Sequence, residues 1–260
     1  MHSPGYIAIG ARLKHSDHVL TLGLKPNFSD YSKEEKELIR KASKIYFPTS
    51  FYADLFNTMG KETFPSYHTY KFAQDKIKQT AVFEMLKIPH PFTRIFYGTR
   101  QKKQILDYFS FPFIAKKARN SSRGCDVFLI ENPGQLRRYL DMTNPAYIQE
   151  YFRVEKDLRV VIIGGEVALS YWKTPGRGEF RTNISQGGSI RFDAIPPEAC
   201  SLALDTARKC GWDDVGLDLI EKDGAFYILE ANMKYGTKGF KKALIDYKTF
   251  LESLLINGRI

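Results

Sequence analysis

The stretch from Asp218 to Asn232 constrains the fold of this chain more than any other segment. It reads DLIEKDGAFYILEAN, two apolar runs separated by Lys222-Asp223-Gly224. Asp and Gly favour tight turns, and apolar runs on either side of such a turn are typical of a β-hairpin. The fold must therefore include antiparallel sheet. In that hairpin, Asp218 and Glu230 are expected to lie at the same end.

The hairpin carries polar residues where a buried strand would normally end. Burying a carboxylate or an amide costs free energy unless a partner satisfies it. Glu230 and Asn232 are two residues apart, so their side chains project from one face of the strand. With Asp218 they supply three oxygen ligands, which suit a hard divalent cation, foremost Mg2+, with Mn2+ as an alternative. The other interpretation, solvated residues at a strand end, stays open at this point.

The composition predicts a globular chain with a sizeable core. The 260 residues allow one large domain or two to three lobes, and 43% of them are hydrophobic. No apolar run approaches the ~18 residues of a membrane span, and the first residues lack the pattern of a signal peptide. Cys125, Cys200 and Cys210 are too few and too scattered for a disulfide framework or a zinc site. We therefore expect a soluble, cytoplasmic protein with no membrane partner.

The formal net charge of +10 favours polyanionic partners, namely nucleotides, nucleic acid or an acidic substrate. The basic residues are spread along the chain, so charge alone identifies no ligand. Nucleic-acid binding would account for the charge and for the 14% aromatic residues. It would not account for Asp218, Glu230 and Asn232 converging, because acids repel phosphate without a metal. Nucleic acid is therefore the less favoured partner.

Hydrophobic periodicity and turn signals predict an α+β fold with a short α/β beginning. In residues 1–73 we predict strands at 18–24 and 45–47 and helices from Ser32 and over 52–60. Beyond them the pattern predicts helices at 72–86, 101–109, 133–141, 196–211 and 240–255. The strands predicted there lie at 111–116, 125–130 and 147–152, on both sides of Gly164-Gly165 and in the hairpin.

Two lysines and a polar loop are candidates for phosphate binding. Lys76 lies on a predicted amphipathic helix, and Lys116 ends a predicted strand, with Lys117 as its alternative. The loop that follows contains Gly124, which permits close approach of a ligand to the backbone. Ser121 and Ser122 lie in the same loop, which is not a Walker A sequence. Taken singly, each of these could equally be ordinary surface.

Further polar stretches follow in chain order. A strand edge at residues 149–151 could offer backbone groups to an adenine. Asp157 and Arg159 project from one face of the next strand, either as part of a site or as an ordinary exposed ion pair. A later stretch reads FRTN, in which Arg181 could hold phosphate oxygens and Asn183 could lie beside an oxyanion. The residues in these stretches are Gln149, Glu150, Tyr151, Asp157, Arg159, Arg181, Thr182 and Asn183.

In this order, the residues resemble the ATP-grasp superfamily, and within it the RimK-type ligases, the branch that contains the ribosomal protein S6 glutamate ligase. The resemblance extends from Gln74 to the C-terminus. It implies two α+β lobes that sandwich ATP, at 74–150 and 151–260, after a short α/β domain at 1–73. It also suggests, by analogy alone, a homo-oligomer.

The resemblance assigns roles by position. Metal binding falls to Asp218, Glu230 and Asn232, and catalysis to Arg159, Arg181 and Asn183. Backbone groups of Glu150 and Tyr151 would read adenine in the hinge between the lobes. The full set of implied ATP contacts is Lys76, Lys116, Ser121, Ser122, Gly124, Gln149, Glu150, Tyr151, Asp157, Arg181, Thr182 and Asn183.

The implied reaction is an ADP-forming ligation of a carboxylic acid to an amine through an acyl phosphate, with ATP and Mg2+. Glutamate or another amino acid would be joined to a small, peptide or protein acceptor, and the basic charge of the chain favours an acidic one. The candidates for holding an anionic acid are Arg159, Lys173, Arg177 and Lys238, each of which could equally be a surface residue. The chain departs from the family at Met233-Lys234-Tyr235-Gly236, where a Pro-Gly turn is usual. An ATP-grasp protein that does not ligate, or a kinase-like variant, therefore remains an alternative.

Overall fold

The computed structural model describes residues 5–118, 126–176 and 188–260. The chain begins with a four-stranded parallel sheet in the order β2-β1-β3-β4. Three helices accompany this sheet, and the first starts with a capping box in which Ser32 and Glu35 bond each other's backbone N–H. The elements are β1 (Tyr6–Ala8), β2 (Val19–Thr21), α1 (Lys33–Lys41), β3 (Lys44–Tyr46), α2 (Thr49–Thr58), β4 (Glu62–Phe64) and α3 (Tyr67–Lys71).

A second four-stranded sheet follows, and it is antiparallel throughout. Its strands lie in the order β5-β8-β6-β7, and one face covers a core that includes Phe113, Ile148 and Tyr139. The elements are α4 (Lys76–Met85), β5 (Thr93–Phe96), α5 (Gly98–Lys102), α6 (Ile105–Tyr108), β6 (Phe113–Lys116), β7 (Val127–Ile130), α7 (Pro133–Met142) and β8 (Ala146–Glu150).

The third sheet has five antiparallel strands in the order β11-β10-β9-β12-β13. With the helices around both antiparallel sheets, it confirms the predicted α+β class. The elements are β9 (Asp157–Ile163), β10 (Glu166–Thr174), β11 (Ser189–Arg191), α8 (Pro197–Cys210), β12 (Asp214–Lys222), β13 (Ala225–Asn232), α9 (Lys238–Lys242) and α10 (Tyr247–Ile256).

The two faces of the five-stranded sheet bury different neighbours. On one face, Leu217 and Leu219 pack with Phe83 of α4 and Ala203 of α8. The opposite face is apolar only at one end, where Val161 and Ile163 belong to a cluster with residues of the N-terminal sheet and α10. Successive strand residues point to opposite faces of the sheet. The end of the second face that lies away from this apolar cluster can therefore carry polar side chains. The site described below lies there.

Several elements differ from the sequence prediction. Helix α4 begins at Lys76 rather than near Phe72, because the Asp75 side chain caps it by accepting the N–H of Lys78. The C-terminal helix predicted over 240–255 is two helices, since Leu244 adopts φ 60° between them. The helix predicted over 101–109 is likewise divided into α5 and α6. Strands β1, β4, β5 and β11 were not predicted, because runs of three or four residues carry too little periodicity.

In the part of the chain that is described, the longest helix has 14 residues, so none there can cross a bilayer.

Gly239 allows α9 to lie directly on the five-stranded sheet. A Cβ at this position would be 2.4 Å from Cε1 of Tyr171, and Tyr171 pairs with Arg159 across β9 and β10. Gly239→Ala should therefore destabilise the protein by about 1–3 kcal/mol through overpacking, measured as a shift in the urea midpoint. Gly236→Ala is the control, because its Cβ would meet no atom within 4 Å. Equal midpoints for the two variants would contradict this account.

Candidate nucleotide and metal site

The strand register brings the predicted metal ligands together. Asp218 on β12 lies opposite Glu230 on β13 and opposite Arg159 on β9, which confirms that Asp218 and Glu230 share one end of the hairpin. The Asn232 Nδ2 group donates to Asp218 Oδ2 at 3.0 Å and to Glu230 Oε1 at 2.9 Å. The three side chains therefore form one hydrogen-bonded cluster.

Asp218 is buried and surrounded by cations. Arg159 donates to both of its oxygens, from Nε at 2.6 Å and from Nη2 at 2.7 Å, and the Lys173 Nζ lies 2.8 Å from Oδ1. Burial by itself would raise the pKa of Asp218, but the charges of Arg159 and Lys173 outweigh burial and lower that pKa below its usual value. Asp218 is thus held as a carboxylate.

Lys173 is a further polar residue of this cluster, and the sequence analysis left open whether it holds an anionic acid or lies at the surface. Its side chain is only 5% exposed, and its Nζ also lies 3.1 Å from Asp157 Oδ1, so the surface interpretation of Lys173 is wrong. Asp157 is also buried, and the Arg159 side chain is only 12% exposed. The alternative of an exposed Asp157–Arg159 ion pair is therefore wrong as well. The sequence indication for Lys173 was its spacing: it lies two residues after Tyr171, so both side chains project from the same face of the strand.

Two lysines from the second sheet and its helix approach Glu230. The Lys76 Nζ lies 3.5 Å from Glu230 Oε2. Burial lowers the pKa of Lys116 to about 8, against the opposing charge of Glu230. Burial would raise the pKa of Glu230, but Lys76 and Lys116 hold it far below its usual value. Lys116 is buried whereas Lys117 is exposed, so Lys116 is the lysine that faces this cleft.

A pocket lies between α4, β8 and β13. Residues that line it include Lys76, Thr80, Tyr147, Gln149, Leu229 and Glu230. Gln149 is buried and donates from Nε2 to Thr93 Oγ1 at 2.9 Å. Its Oε1 is buried without a hydrogen-bond partner among the described residues, so the pocket offers an unused acceptor.

The other residues proposed to bind the nucleotide are placed less centrally. The backbone N–H of Glu150 donates to the carbonyl of Phe92 at 2.8 Å, and its carboxylate lies 3.2 Å from the Lys222 Nζ. Tyr151 follows at the end of β8 and is half-buried. Seven residues that the sequence analysis singled out lie outside the described residues: Ser121, Ser122, Gly124, Arg177, Arg181, Thr182 and Asn183.

Comparison with known proteins identifies the family. The model of the RimK-like ATP-grasp domain matches residues 73–253, which is more than half of the chain. This chain belongs to the RimK-like ATP-grasp family.

Two curated members of related sequence are each named probable alpha-L-glutamate ligase. The protein from Parasynechococcus marenigrum is 27% identical over 72% of this chain and 42% of its own length. The protein from Alkalilimnicola ehrlichii is 28% identical over 66% of this chain and 59% of its own length. This RimK-like chain therefore spans about half the length of these relatives.

A solved structure shares the fold of this RimK-like ATP-grasp chain. The ATP-grasp ligase PsnB, complexed with minimal precursor, Mg and ADP, superimposes with a TM-score of 0.71. The match covers 99% of each chain at 14% sequence identity. This likeness confirms the predicted ATP-grasp fold.

Gln79 is a positioning residue of the RimK-like site that the sequence analysis missed. Its Oε1 accepts the Ala231 N–H at 3.2 Å, and its Nε2 donates to the Ala231 carbonyl at 2.9 Å. Ala231 lies between Glu230 and Asn232 on the edge strand β13, so the Gln79 amide takes the place of a neighbouring strand. The Gln79 amide thus fixes the backbone between the side chains of Glu230 and Asn232. A glutamine on a helix gives no sequence signal for such a contact.

Gln79→Leu should cost about 1–3 kcal/mol of stability, because it leaves a buried N–H and carbonyl without partners. We also expect Mg2+-dependent binding of a non-hydrolysable ATP analogue to weaken as Glu230 and Asn232 lose their fixed spacing. Urea unfolding and calorimetric titration measure the two effects. Lys78→Gln, on the exposed side of α4, is the matched control. A Gln79→Leu protein that matches it in both measurements would exclude the positioning role.

Proposed function

We propose that the chain is an ATP- and Mg2+-dependent carboxylate–amine ligase that forms ADP and joins an amino acid, foremost glutamate, to an acceptor. The observation that carries the proposal is the cluster of Asp218, Glu230 and Asn232 facing Lys76 and Lys116. Acids suited to a cation and lysines suited to phosphates lie on opposite sides of one cleft. The names of the curated relatives support glutamate as the acid.

The residues present fit a magnesium ion in their donor chemistry. Two carboxylates and an amide oxygen are hard ligands, and Mg2+ commonly completes its coordination with water and substrate phosphates. The Asn232 Nδ2 group faces both carboxylates in this structure, so the side-chain amide would have to turn over to present Oδ1 to the ion. Among the described residues no group of three His, Cys, Asp or Glu side chains is close enough to hold a metal. Asn232 would therefore be the third protein ligand. When bound, the ion would neutralise charge on the terminal phosphates.

The protein's own groups have distinct tasks in this proposal. Lys76 and Lys116 bind phosphate oxygens, and the unpartnered Oε1 of Gln149 accepts a hydrogen bond from the adenine amino group. Arg159 and Lys173 hold Asp218 ionised and in place, so we assign Arg159 a positioning role beside its expected catalytic one. Stabilisation of the oxyanion falls to Arg181 and Asn183.

Chemistry in this cleft needs no side-chain nucleophile. A bound carboxylate attacks the terminal phosphorus, ADP leaves, and the resulting acyl phosphate is attacked by the acceptor amine with release of phosphate. The site supplies positioning and electrostatics, which are the main protein contributions to such transfers. The loop with Ser121, Ser122 and Gly124 would exclude water. We propose residues 74–150 and 151–260 as the two lobes.

The test is ADP release from the purified protein with Mg-ATP and pools of amino acids, dicarboxylates and short peptides. Mass spectrometry of each pool should show a product lighter by one water than its two precursors. Mg-ATP binding without turnover in any pool would instead indicate an ATP-grasp protein that does not ligate these compounds. A phosphorylated product would identify the kinase-like alternative.

A further inference from the structure

The segment that follows β13 forms a basic surface. Residues 234–242 contain four lysines and no acidic residue. All four lysines are exposed, namely Lys234, Lys238, Lys241 and Lys242. Lys234 lies in the turn after β13, and the other three belong to α9. We call these four residues the lysine cluster.

The three lysines of α9 are not explained by the stability of this helix. Lys238, Lys241 and Lys242 have the spacing i, i+3 and i+4, which places side chains side by side on one helix face. Gly239 and Phe240, on the other side of α9, are buried. Like charges at this spacing destabilise a helix, and Lys238 lies in the first turn, where the helix dipole disfavours a cation.

No acid among the described residues forms an ion pair with the lysine cluster. The next acid along the chain, Asp246, caps α10. Asp193, which follows β11, pairs with Arg191 at 3.0 Å. Lys242 donates to the carbonyl of Ile190 at 2.6 Å and thereby joins α9 to β11. The positive charge of the cluster is therefore available to an anion in solution.

The lysine cluster begins at the edge of the candidate nucleotide and metal site. The Lys234 Nζ lies 3.4 Å from Oε1 of Gln74, two residues before Lys76 of the cleft. Residues 236–238 are all exposed, so the surface from Lys234 to α9 is open to solvent. A molecule bound to the lysine cluster therefore lies next to the cleft that Lys76 lines.

Helix α9 also rests on a strand that carries part of the site. Gly239 packs against the ring of Tyr171 on β10. Lys173, two residues further along this strand, contacts Asp218 at 2.8 Å. Residues two apart on a strand are about 7 Å apart. The lysine cluster is thus within a few residues of extended peptide from the cleft.

The chemistry of this surface favours an acidic peptide over a nucleic acid. Proteins that bind single strands combine basic groups with exposed rings on which bases stack. The two rings within the segment, Tyr235 and Phe240, are buried, with exposures of 6% and 1%. Lysine side chains are flexible and carry three donors each, so they adapt to carboxylates spaced along a peptide.

We infer that the lysine cluster is the docking surface for the acceptor of the proposed ligation, and that this acceptor is a peptide or protein segment with several acidic side chains. The inference rests on the proposed ligase function. Docking beside the cleft raises the effective concentration of the acceptor amine at the site. It also selects acceptors by the charge of the residues that flank the amine.

The test compares two fluorescent octapeptides with free amino termini. One alternates glycine with glutamate, and the other alternates glycine with glutamine. Fluorescence anisotropy measures binding to the full chain with Mg2+ and a non-hydrolysable ATP analogue, and we expect only the glutamate peptide to bind, more weakly as salt rises. Replacing Lys238 and Lys241 together by glutamine should weaken this binding about 5- to 30-fold at low ionic strength. Replacing both by arginine should preserve it.

The matched control replaces Lys33 and Lys41 together by glutamine, because these exposed lysines begin and end α1 and their loss changes the net charge equally. Thermal unfolding checks that each variant is folded. Four results would overturn the inference: equal binding of the two peptides, binding of neither, equal losses in both glutamine variants, or tighter binding of a single-stranded oligonucleotide through the same lysines.

ADP release with Mg-ATP, amino acids and the unlabelled peptides separates this inference from the ligase function. Binding of the glutamate peptide through the lysine cluster without ADP release in any mixture would uphold the acidic docking surface and refute the ligase function. ADP release that depends neither on the charge of the peptide nor on Lys238 and Lys241 would uphold the ligase function and overturn the inference.

Discussion

Glu230→Gln should lower ADP release by about 100- to 1,000-fold, a loss of several kcal/mol of charge stabilisation. The change keeps the size of the side chain and removes the negative charge that lies 3.5 Å from the Lys76 Nζ. The cluster would keep only the Asp218 carboxylate, which Arg159 and Lys173 already neutralise. Lys76 and Lys116 would then lose the charge of Glu230 that offsets their mutual repulsion, and the Mg2+ concentration needed for nucleotide binding should rise.

The measurement is ADP release against Mg2+ concentration, with nucleotide binding followed separately by calorimetry. Glu221→Gln is the control, since Glu221 lies on the same hairpin and is exposed. Turnover by Glu230→Gln within a few-fold of the Glu221→Gln protein, at the same Mg2+ requirement, would show that Glu230 does not act through the metal.

Asp218→Asn should have the largest effect on stability, a loss of about 3–5 kcal/mol, because it breaks a buried ion pair from one side. Arg159 would lose its anionic partner and one of the two acceptor oxygens, and Lys173 would keep only the carboxylate of Asp157. Urea unfolding at neutral pH measures the loss. Asp205→Asn, in an exposed pair with Arg208 on α8, should change the midpoint little.

The ion pairs of Asp218 also predict how the stability of the protein depends on pH. The folded-state pKa of Asp218 lies below the usual value of about 3.9 for an aspartate. Its contribution to stability is therefore present above about pH 4 and is lost as the pH falls through the folded-state pKa. The difference in stability between wild type and Asp218→Asn should therefore shrink in acid. A difference that stays constant from pH 7 to strongly acidic pH would contradict the assignment of this ion pair.

Local sequence signals predicted the parts of the site that depend on one hairpin. The turn at Lys222–Gly224 and the two apolar runs determined the register that places Asp218 opposite Glu230. The spacing of Glu230 and Asn232 then determined that both lie on one face. The capping box at Ser32 predicted the start of α1 because its contacts are likewise local and lie within four residues of one another.

Contacts between distant segments were beyond the sequence analysis. Gln79 reaches Ala231 across 152 positions, and Lys173 reaches Asp218 only because β9 lies between β10 and β12. The break at Leu244 was missed because the apolar pattern continues through it. Its left-handed backbone ends α9, where the Ile245 N–H donates to the Phe240 carbonyl. The sequence analysis placed Arg159 on the correct strand face. Its buried partner, Asp218, lies on β12, and the residues next to Arg159 in the sequence do not indicate that contact.

The division of charges between two sheets has a consequence for discrimination among polyanions. Lys76 and Lys116, the lysines that face Glu230, belong to the four-stranded antiparallel sheet and its helix α4. Asp218 and Glu230 belong to the five-stranded sheet, where Arg159 and Lys173 already neutralise Asp218. A surface with the lysines alone would attract any polyphosphate or nucleic acid, and a surface with the acids alone would repel them all. Where the two sets face each other, we expect a polyphosphate that brings its own counter-cation to bind better than a bare one. A chain as basic as this one should thus discriminate against bare polyanions at the place where Lys76 and Lys116 converge.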